Sequence, residues 1–117
     1  MEGIEIEKQF SKIVVGSFQV KLSPGEQYVK LHSGVVVAVE NIVTDVNGSI
    51  WLIYRKFHGA DNFFMYPSSS MDIGIFKFER LGSCHHYCAC TDIVCKYIVL
   101  PYKRWHIAIP VAHTNSD

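Results

Sequence analysis

Short apolar runs separated by turn residues make up this chain. The clearest pair of runs flanks Asp45-Val46-Asn47-Gly48 in the stretch GVVVAVENIVTDVNGSIWLIYRKF. In these runs, Val, Ile and Trp either alternate with other residues or follow one another directly. Asn-Gly is the residue pair that a tight hairpin turn with positive φ requires. The pattern therefore predicts a β-hairpin around Asn47-Gly48, and the apolar residues on both faces of its second arm predict that both faces are partly covered.

Other turn signals divide the rest of the chain. Ser23-Pro24-Gly25 separates two short apolar runs that are predicted to be strands. An irregular connection from Asp61 to Ser70 precedes a predicted strand at Ile73 to Phe78. The stretch CKYIVLPYKRWHIAIPVAH predicts a last hairpin with Lys103-Arg104 near its tip. Its two prolines, Pro101 and Pro110, are expected to confine those strands to edges or ends.

No segment has a convincing apolar period of 3.6 residues, so the sequence predicts a mainly β fold, a small β-barrel with short helical segments. Helix is expected only over the first ten residues and in a turn after Thr91, which with Asp92 forms an N-cap signal. With 117 residues, 49% of them hydrophobic, the chain can bury one core. We therefore expect residues 1–117 to be a single domain.

The charge balance and the terminal residues disfavour several classes of protein. The 11 basic and 11 acidic residues cancel, unlike the basic surface of a protein that depends on phosphate contacts. No apolar run approaches the roughly 20 residues that span a bilayer, and the acidic start MEGIEIEKQF differs from a secretory signal. We expect an intracellular domain without a membrane partner. Since AIPVAHTNSD stops just after an apolar run, we also expect it to be part of a longer protein.

The cysteines are concentrated in SCHHYCACTDIVC, with the spacing C-x3-C-x-C-x4-C. Structural zinc sites usually take ligands as two separated close pairs, and no second pair occurs here. Free cysteines pack well as small hydrophobes, so we interpret Cys88, Cys90 and Cys95 as buried thiols and expect no cofactor. The alternative is a small zinc-stapled domain that uses Cys84, Cys88, Cys90 and Cys95. A nucleophilic Cys-His pair is disfavoured, because these thiols lie among apolar β-formers.

Catalytic motifs are missing, and aromatic residues are abundant. The chain has no Gly-rich phosphate loop and no paired carboxylate motif, which favours a binding module over an enzyme. One aromatic loop could form pocket walls for a peptide or a methylated lysine, with a carboxylate to add charge. Its residues are Phe57, Asp61, Phe63, Phe64 and Tyr66. The alternative is that these rings belong to the core.

Three stretches together resemble a known family: YVKLHSGVVVAVENIVTDVNGSIWLIYRKF, DIGIFKFERL and CTDIVCKYIVLPY. They are similar, in this order, to the opening strands with a D-x-N-G hairpin, a middle strand, and the closing run that ends in Leu-Pro. The family is that of the bromo-adjacent homology (BAH) domains, which are β-rich modules of chromatin proteins. The likeness covers roughly Gln27 to Tyr102. It implies a BAH-like β domain in the nucleus, with Cys95 in the core.

The resemblance implies a non-catalytic chromatin module that recognises a protein partner or a histone-tail peptide. The tail YIVLPYKRWHIAIPVAH is also similar to domains of transposon-derived proteins. This gives a second hypothesis, a nucleic-acid-binding β module with weak affinity. Its contacts to phosphates and bases would come from the hairpin tip, Lys103, Arg104, Trp105 and His106.

Overall fold

The computed structural model describes residues 6–15, 18–59, 61–62, 65, 71 and 74–111. It is mainly β, and its main sheet is strongly curled into a half-barrel, which confirms the predicted fold class. The strands are β1 (Ile6–Phe10), β2 (Lys12–Val15), β3 (Phe18–Lys21), β4 (Tyr28–Leu31), β5 (Val36–Asp45), β6 (Ile50–His58), β7 (Asp61–Asn62), β8 (Phe76–Phe78), β9 (Arg80–Leu81), β10 (His86–Ala89), β11 (Ile93–Tyr102) and β12 (Trp105–Pro110).

The main sheet has the strand order β10-β6-β5-β4-β11-β12-β8-β7. In addition, β1 pairs with the far end of β5 and β9 pairs with the end of β6, and each pairing is antiparallel. A separate two-stranded sheet joins β2 and β3. The two strands around Ser23-Pro24-Gly25 are therefore present, but they belong to different sheets.

The predicted hairpin joins β5 to β6 and is confirmed. The backbone N–H of Gly48 donates to the carbonyl of Asp45 at 3.0 Å, and Gly48 has φ +84°. Asn47 does not share this conformation, because Lys103 is the one non-glycine residue with positive φ in the described part of the chain. Only the second residue of the Asn-Gly pair therefore needs the left-handed region, which corrects the expected turn geometry.

The last hairpin is also confirmed, since Tyr102 lies opposite Trp105 across the Lys103-Arg104 tip. Its strands are not edges: β11 lies between β4 and β12, and β12 lies between β11 and β8. Pro110 ends β12, and Pro101 lies beyond Tyr97, where the pairing of β11 with β4 ends. A proline is tolerated near a strand end because no ladder hydrogen bond needs its missing N–H there.

The helix expected over the first ten residues is wrong for residues 6–10, which form β1. This strand pairs with residues 42–45 of β5, beyond the part of β5 that β4 covers, and so satisfies backbone groups that would otherwise lack partners. The turn near Thr91 is a 3-10 helix, Cys90–Asp92, whose N-cap is Ala89 without a side-chain hydrogen bond. The predicted Thr91 cap is thus wrong. Of the strand expected at Ile73 to Phe78, Phe76–Phe78 form β8, and residue 73 lies outside the described residues.

Buried side chains form two clusters on opposite faces of the curled sheet. Neighbouring residues divide between them: Val37 belongs to the first cluster and Val36 to the second. The first contains Val20, Val29, Leu31, Val37, Val39, Ile42, Leu52, Tyr54 and Ile93. The second contains Val36, Phe78, Tyr97, Val99 and Ala108. Both faces of the sheet are therefore partly covered, as the pattern of β6 predicts.

Candidate functional site

The short strand β8 separates two surfaces. Phe78 faces the second buried cluster, where its ring stacks on Phe57 with centroids 4.5 Å apart. Lys77 faces the opposite side, with its Nζ 4.3 Å from the ring centroid of Trp105. Trp105 and His106, which are adjacent in β12, also face opposite sides. Trp105 lies beside Lys77, whereas the ring centroid of His106 lies 6.1 Å from that of Phe57. Each surface is a candidate binding site.

The first surface is a cleft of about 380 Å³, which we call the aromatic cleft. Three phenylalanines form its walls. The ring centroids of Phe57 and Phe76 lie 4.5 Å and 5.7 Å, respectively, from that of Phe78. Its lining residues are Gly34, Val35, Val36, Lys56, Phe57, Met71, Phe76 and Phe78. Because Val36 and Phe78 are buried and belong to the core, the cleft has a preformed apolar floor.

The predicted partner-binding residues are only partly placed by the structure. Phe57 lines the aromatic cleft. Asp61 lies opposite Lys77 in the β7–β8 pair. Phe63, Phe64 and Tyr66 lie outside the described residues.

The cleft is chemically suited to an apolar group. Lys56 is the one charged residue among its described lining residues, and none of them carries a carboxylate. A cationic ligand would therefore lack the negative charge that stabilises it beside the rings. The volume lies near the lower end of the range for ligand pockets, roughly 300 to 1,000 Å³, which fits one or two side chains.

The second surface lies on the opposite face, around the tip of the last hairpin, and we call it the hairpin platform. Tyr102 and Trp105 are direct cross-strand partners and so share a face. Lys103 places its Nζ 5.4 Å from the ring centroid of Tyr102, and Arg104 is exposed at the tip. Three of the four predicted nucleic-acid contacts, Lys103, Arg104 and Trp105, therefore meet here.

The fourth predicted contact is not on the hairpin platform. His106 pairs with Phe78 and packs on the other face, because it is one residue further along the strand than Trp105. Sequence reasoning missed Tyr102 and Lys77 instead. A signal for Tyr102 was available, since it mirrors Trp105 about the Lys103-Arg104 tip. Nothing local indicated Lys77, which is brought in by the long-range pairing of β8 with β12.

The structure does not bring the four cysteines together. Cys88 and Cys90 pack against the first buried cluster, Cys95 packs against the second, and Cys84 is exposed. Among the described side chains, no three His, Cys, Asp or Glu residues form a group that could hold a metal ion. Burial raises the pKa of Cys88 to about 11, with smaller contributions from Asp92 and Cys90. Burial also raises the pKa of Cys95, against the opposing effect of Lys30.

Comparisons with known proteins identify a family but no activity. Within the described part of the chain, no helix has both the length and the apolar character needed to cross a membrane. No curated protein and no solved structure matches this sequence. One family model, a domain of unknown function named DUF8592, matches residues 1–111. Since that match spans nearly the whole sequence, the chain belongs to the DUF8592 family.

Proposed function

We propose that this domain is a non-catalytic interaction module that binds a segment of a partner protein in the aromatic cleft. The observation that carries the proposal is the cleft itself, about 380 Å³ with three phenylalanine walls and a buried floor. Small apolar pockets of this kind hold the anchor side chains of protein partners, which supply most of the binding energy. The resemblance to BAH domains supports the same class of function in the nucleus.

The lining residues favour one kind of anchor. Apart from Lys56, the described lining residues are apolar or glycine, so an uncharged aliphatic or aromatic side chain is the best occupant. A methylated lysine is a poorer one, because no described carboxylate lines the cleft. Within the chromatin interpretation, this favours a segment of another chromatin subunit over a modified histone tail.

A random peptide library tests the proposal with no assumption about the identity of the partner. Peptides of about 12 residues, selected on the wild-type domain, should converge on one or two large apolar residues. Val35 lies at the cleft and is 36% exposed, so Val35→Glu adds a carboxylate without disturbing the core. We expect this variant to bind the selected peptide at least about tenfold more weakly.

The matched control is Val46→Glu, the same chemical change at a valine that is 56% exposed in the β5–β6 turn. It should bind as the wild type does. Equal binding by both variants would exclude the aromatic cleft as the binding surface. A histone-tail peptide with and without trimethyl-lysine forms the second arm, and a preference for the trimethylated form would overturn the apolar assignment.

A further inference from the structure

The hairpin platform has no role in the proposed function, since it lies on the face opposite the aromatic cleft. Along β11, successive residues alternate between the two faces of the sheet. Tyr97 and Val99 are 1% and 8% exposed, whereas their neighbours Ile98 and Leu100 are 41% and 49% exposed. Tyr102 continues the exposed series at 44%. The distal half of a central strand thus presents apolar side chains to solvent.

The adjoining strand extends this surface. Ile98 lies opposite Ile109, and Tyr102 lies opposite Trp105. Contiguous apolar groups on the surface of a small domain mark an interaction site more often than isolated ones do. The aromatic end of this surface, with two rings in direct cross-strand positions, differs chemically from its aliphatic remainder.

Positive charge is concentrated at the aromatic end. Lys77 lies over the ring of Trp105 at 4.3 Å, and Lys103 lies at 5.4 Å from the ring of Tyr102. Arg104 lies between Tyr102 and Trp105 in the sequence and is exposed at the hairpin tip. Two ring faces with three adjacent cations are complementary to a ligand that combines flat π systems with negative charge.

We propose that the hairpin platform binds single-stranded nucleic acid. Unpaired bases stack on Tyr102 and Trp105, while Lys77, Lys103 and Arg104 contact phosphates. Each lysine amine leaves the ring face that it now covers and moves to a phosphate, since an exposed cation–π contact is weaker than base stacking on the same ring. Duplex is disfavoured, because its bases are already stacked and three cations give little affinity without them.

Fluorescence anisotropy with labelled oligouridine and oligothymidine of about 12 nucleotides, together with a duplex of the same length, tests this proposal. We expect both single strands to bind more tightly than the duplex, and the two single strands separate an RNA preference from a DNA preference. Three phosphate contacts predict a slope of about −2 for log affinity against log salt, which is about a 20-fold loss between about 50 and 200 mM salt.

Matched variants distinguish stacking from charge. Tyr102→Ala should weaken single-strand binding about fivefold or more. Tyr87→Ala should not, although Tyr87 has the same exposed fraction of 44% and lies on β10. Tyr102→Phe keeps the ring and should retain binding, which guards against a merely structural effect. The double change Lys103→Ala with Arg104→Ala should reduce the salt slope to about −0.7.

Several results would overturn the proposal: no single-strand binding at low salt, duplex binding as tight as single-strand binding, or equal losses in Tyr102→Ala and Tyr87→Ala. Tighter binding of an acidic, aromatic peptide to the same residues would assign the hairpin platform to a protein partner instead. Val35→Glu, at the aromatic cleft, should leave nucleic-acid binding unchanged, so this proposal and the proposed function can fail independently.

Discussion

Trp51 donates a hydrogen bond from its indole Nε1 to Oδ2 of Asp45 at 3.0 Å, which links the residue that opens the β5–β6 turn to the strand that follows it. The second carboxylate oxygen accepts the backbone N–H groups of Asn47 at 2.9 Å and Ser49 at 3.0 Å. The bond from Trp51, followed by those from the turn backbone, holds the pKa of Asp45 below its ordinary value of 3.8. Partial desolvation opposes this effect but does not cancel it.

The lowered pKa of Asp45 predicts a specific dependence of stability on acid. Because the folded-state pKa lies below the unfolded-state value of 3.8, the carboxylate stabilises the fold above that pH. This stabilisation is lost as the pH falls through the folded-state pKa. We expect Asp45→Asn to melt at a lower temperature near neutral pH and to lose less of its stability below about pH 4 than the wild type.

Thermal melts across the acid range check this expectation. Trp51→Phe serves as the comparison variant, because it removes the largest cause of the shift while keeping the carboxylate, and its acid dependence should be intermediate. An Asp45→Asn variant whose melting temperature falls with acid as steeply as that of the wild type would show that this carboxylate does not set the acid stability.

A side chain at position 48 should lower the stability of the domain through backbone strain and not through a steric clash. A Cβ at this position would meet no atom within 4 Å, but the φ of +84° is one that side chains rarely adopt. Gly48→Val should therefore destabilise the domain by about 1 kcal/mol or more. Asn47→Ala is the control, and it should change stability by less than about 0.5 kcal/mol, because Asn47 does not have positive φ. Equal losses in urea denaturation would contradict this geometry.

Tyr97 predicts the cost of one buried hydrogen bond. Its hydroxyl donates to the carbonyl of Gly74 at 2.7 Å, and the residue is 1% exposed. Tyr97→Phe should destabilise the domain by about 1 kcal/mol, because the carbonyl loses its partner. The exposed Tyr87 provides the control, since Tyr87→Phe should be nearly neutral. A Tyr97→Phe variant as stable as the wild type in urea would be inconsistent with this bond.

Tyr97 also predicts sensitivity to alkali. Burial raises its pKa to about 12 from an ordinary value of 10.0, with a smaller contribution from Cys95. The folded state therefore holds this proton more tightly than the unfolded state, and stability should fall as the pH rises from about 10 towards 12. Tyr97→Phe should lose less stability over this range. A variant that loses as much would place the alkaline sensitivity elsewhere.

The four free cysteines should react unequally with a thiol reagent. Cys84 is exposed, whereas Cys88 packs against the first buried cluster and has a pKa of about 11. Near neutral pH, Cys88 is therefore held as the thiol, whereas the thiolate is the form that reacts. We expect one fast-reacting thiol per chain in the native protein and four after denaturation. Cys84→Ser should remove the fast phase, and a second fast thiol would contradict the packing of the other three.

Local signals predicted the turns of this fold better than they predicted its surfaces. Gly48 marks the β5–β6 turn because its conformational freedom acts within a few residues. That Tyr97 is buried while Ile98 is exposed could not be predicted in this way. Both residues are apolar, and the run around them does not alternate with polar residues. Which face is buried depends on distant strands, and no local pattern encodes the pairing of β4 with β11.

The same reasoning explains the outcome for the predicted sites. Lys103, Arg104 and Trp105 are close in sequence, so their grouping at one tip could be predicted. Closeness in sequence does not separate His106 from Trp105, although the two residues face opposite sides of the sheet. Phe76 and Phe78 were not singled out, since their meeting with Phe57 requires β6 and β8 to approach from separate parts of the chain.

The strand β8 contains three residues, and they serve both surfaces in turn: Phe76 and Phe78 line the aromatic cleft, and Lys77 reaches Trp105. Inserting or deleting one residue within this strand would send the lysine towards the cleft and a phenylalanine towards the hairpin platform. After β8, only Glu79 separates it from β9, and its backbone N–H donates to the carbonyl of His58 at 2.9 Å. Family members that keep both surfaces should therefore vary in length before β8 but not within it or directly after it.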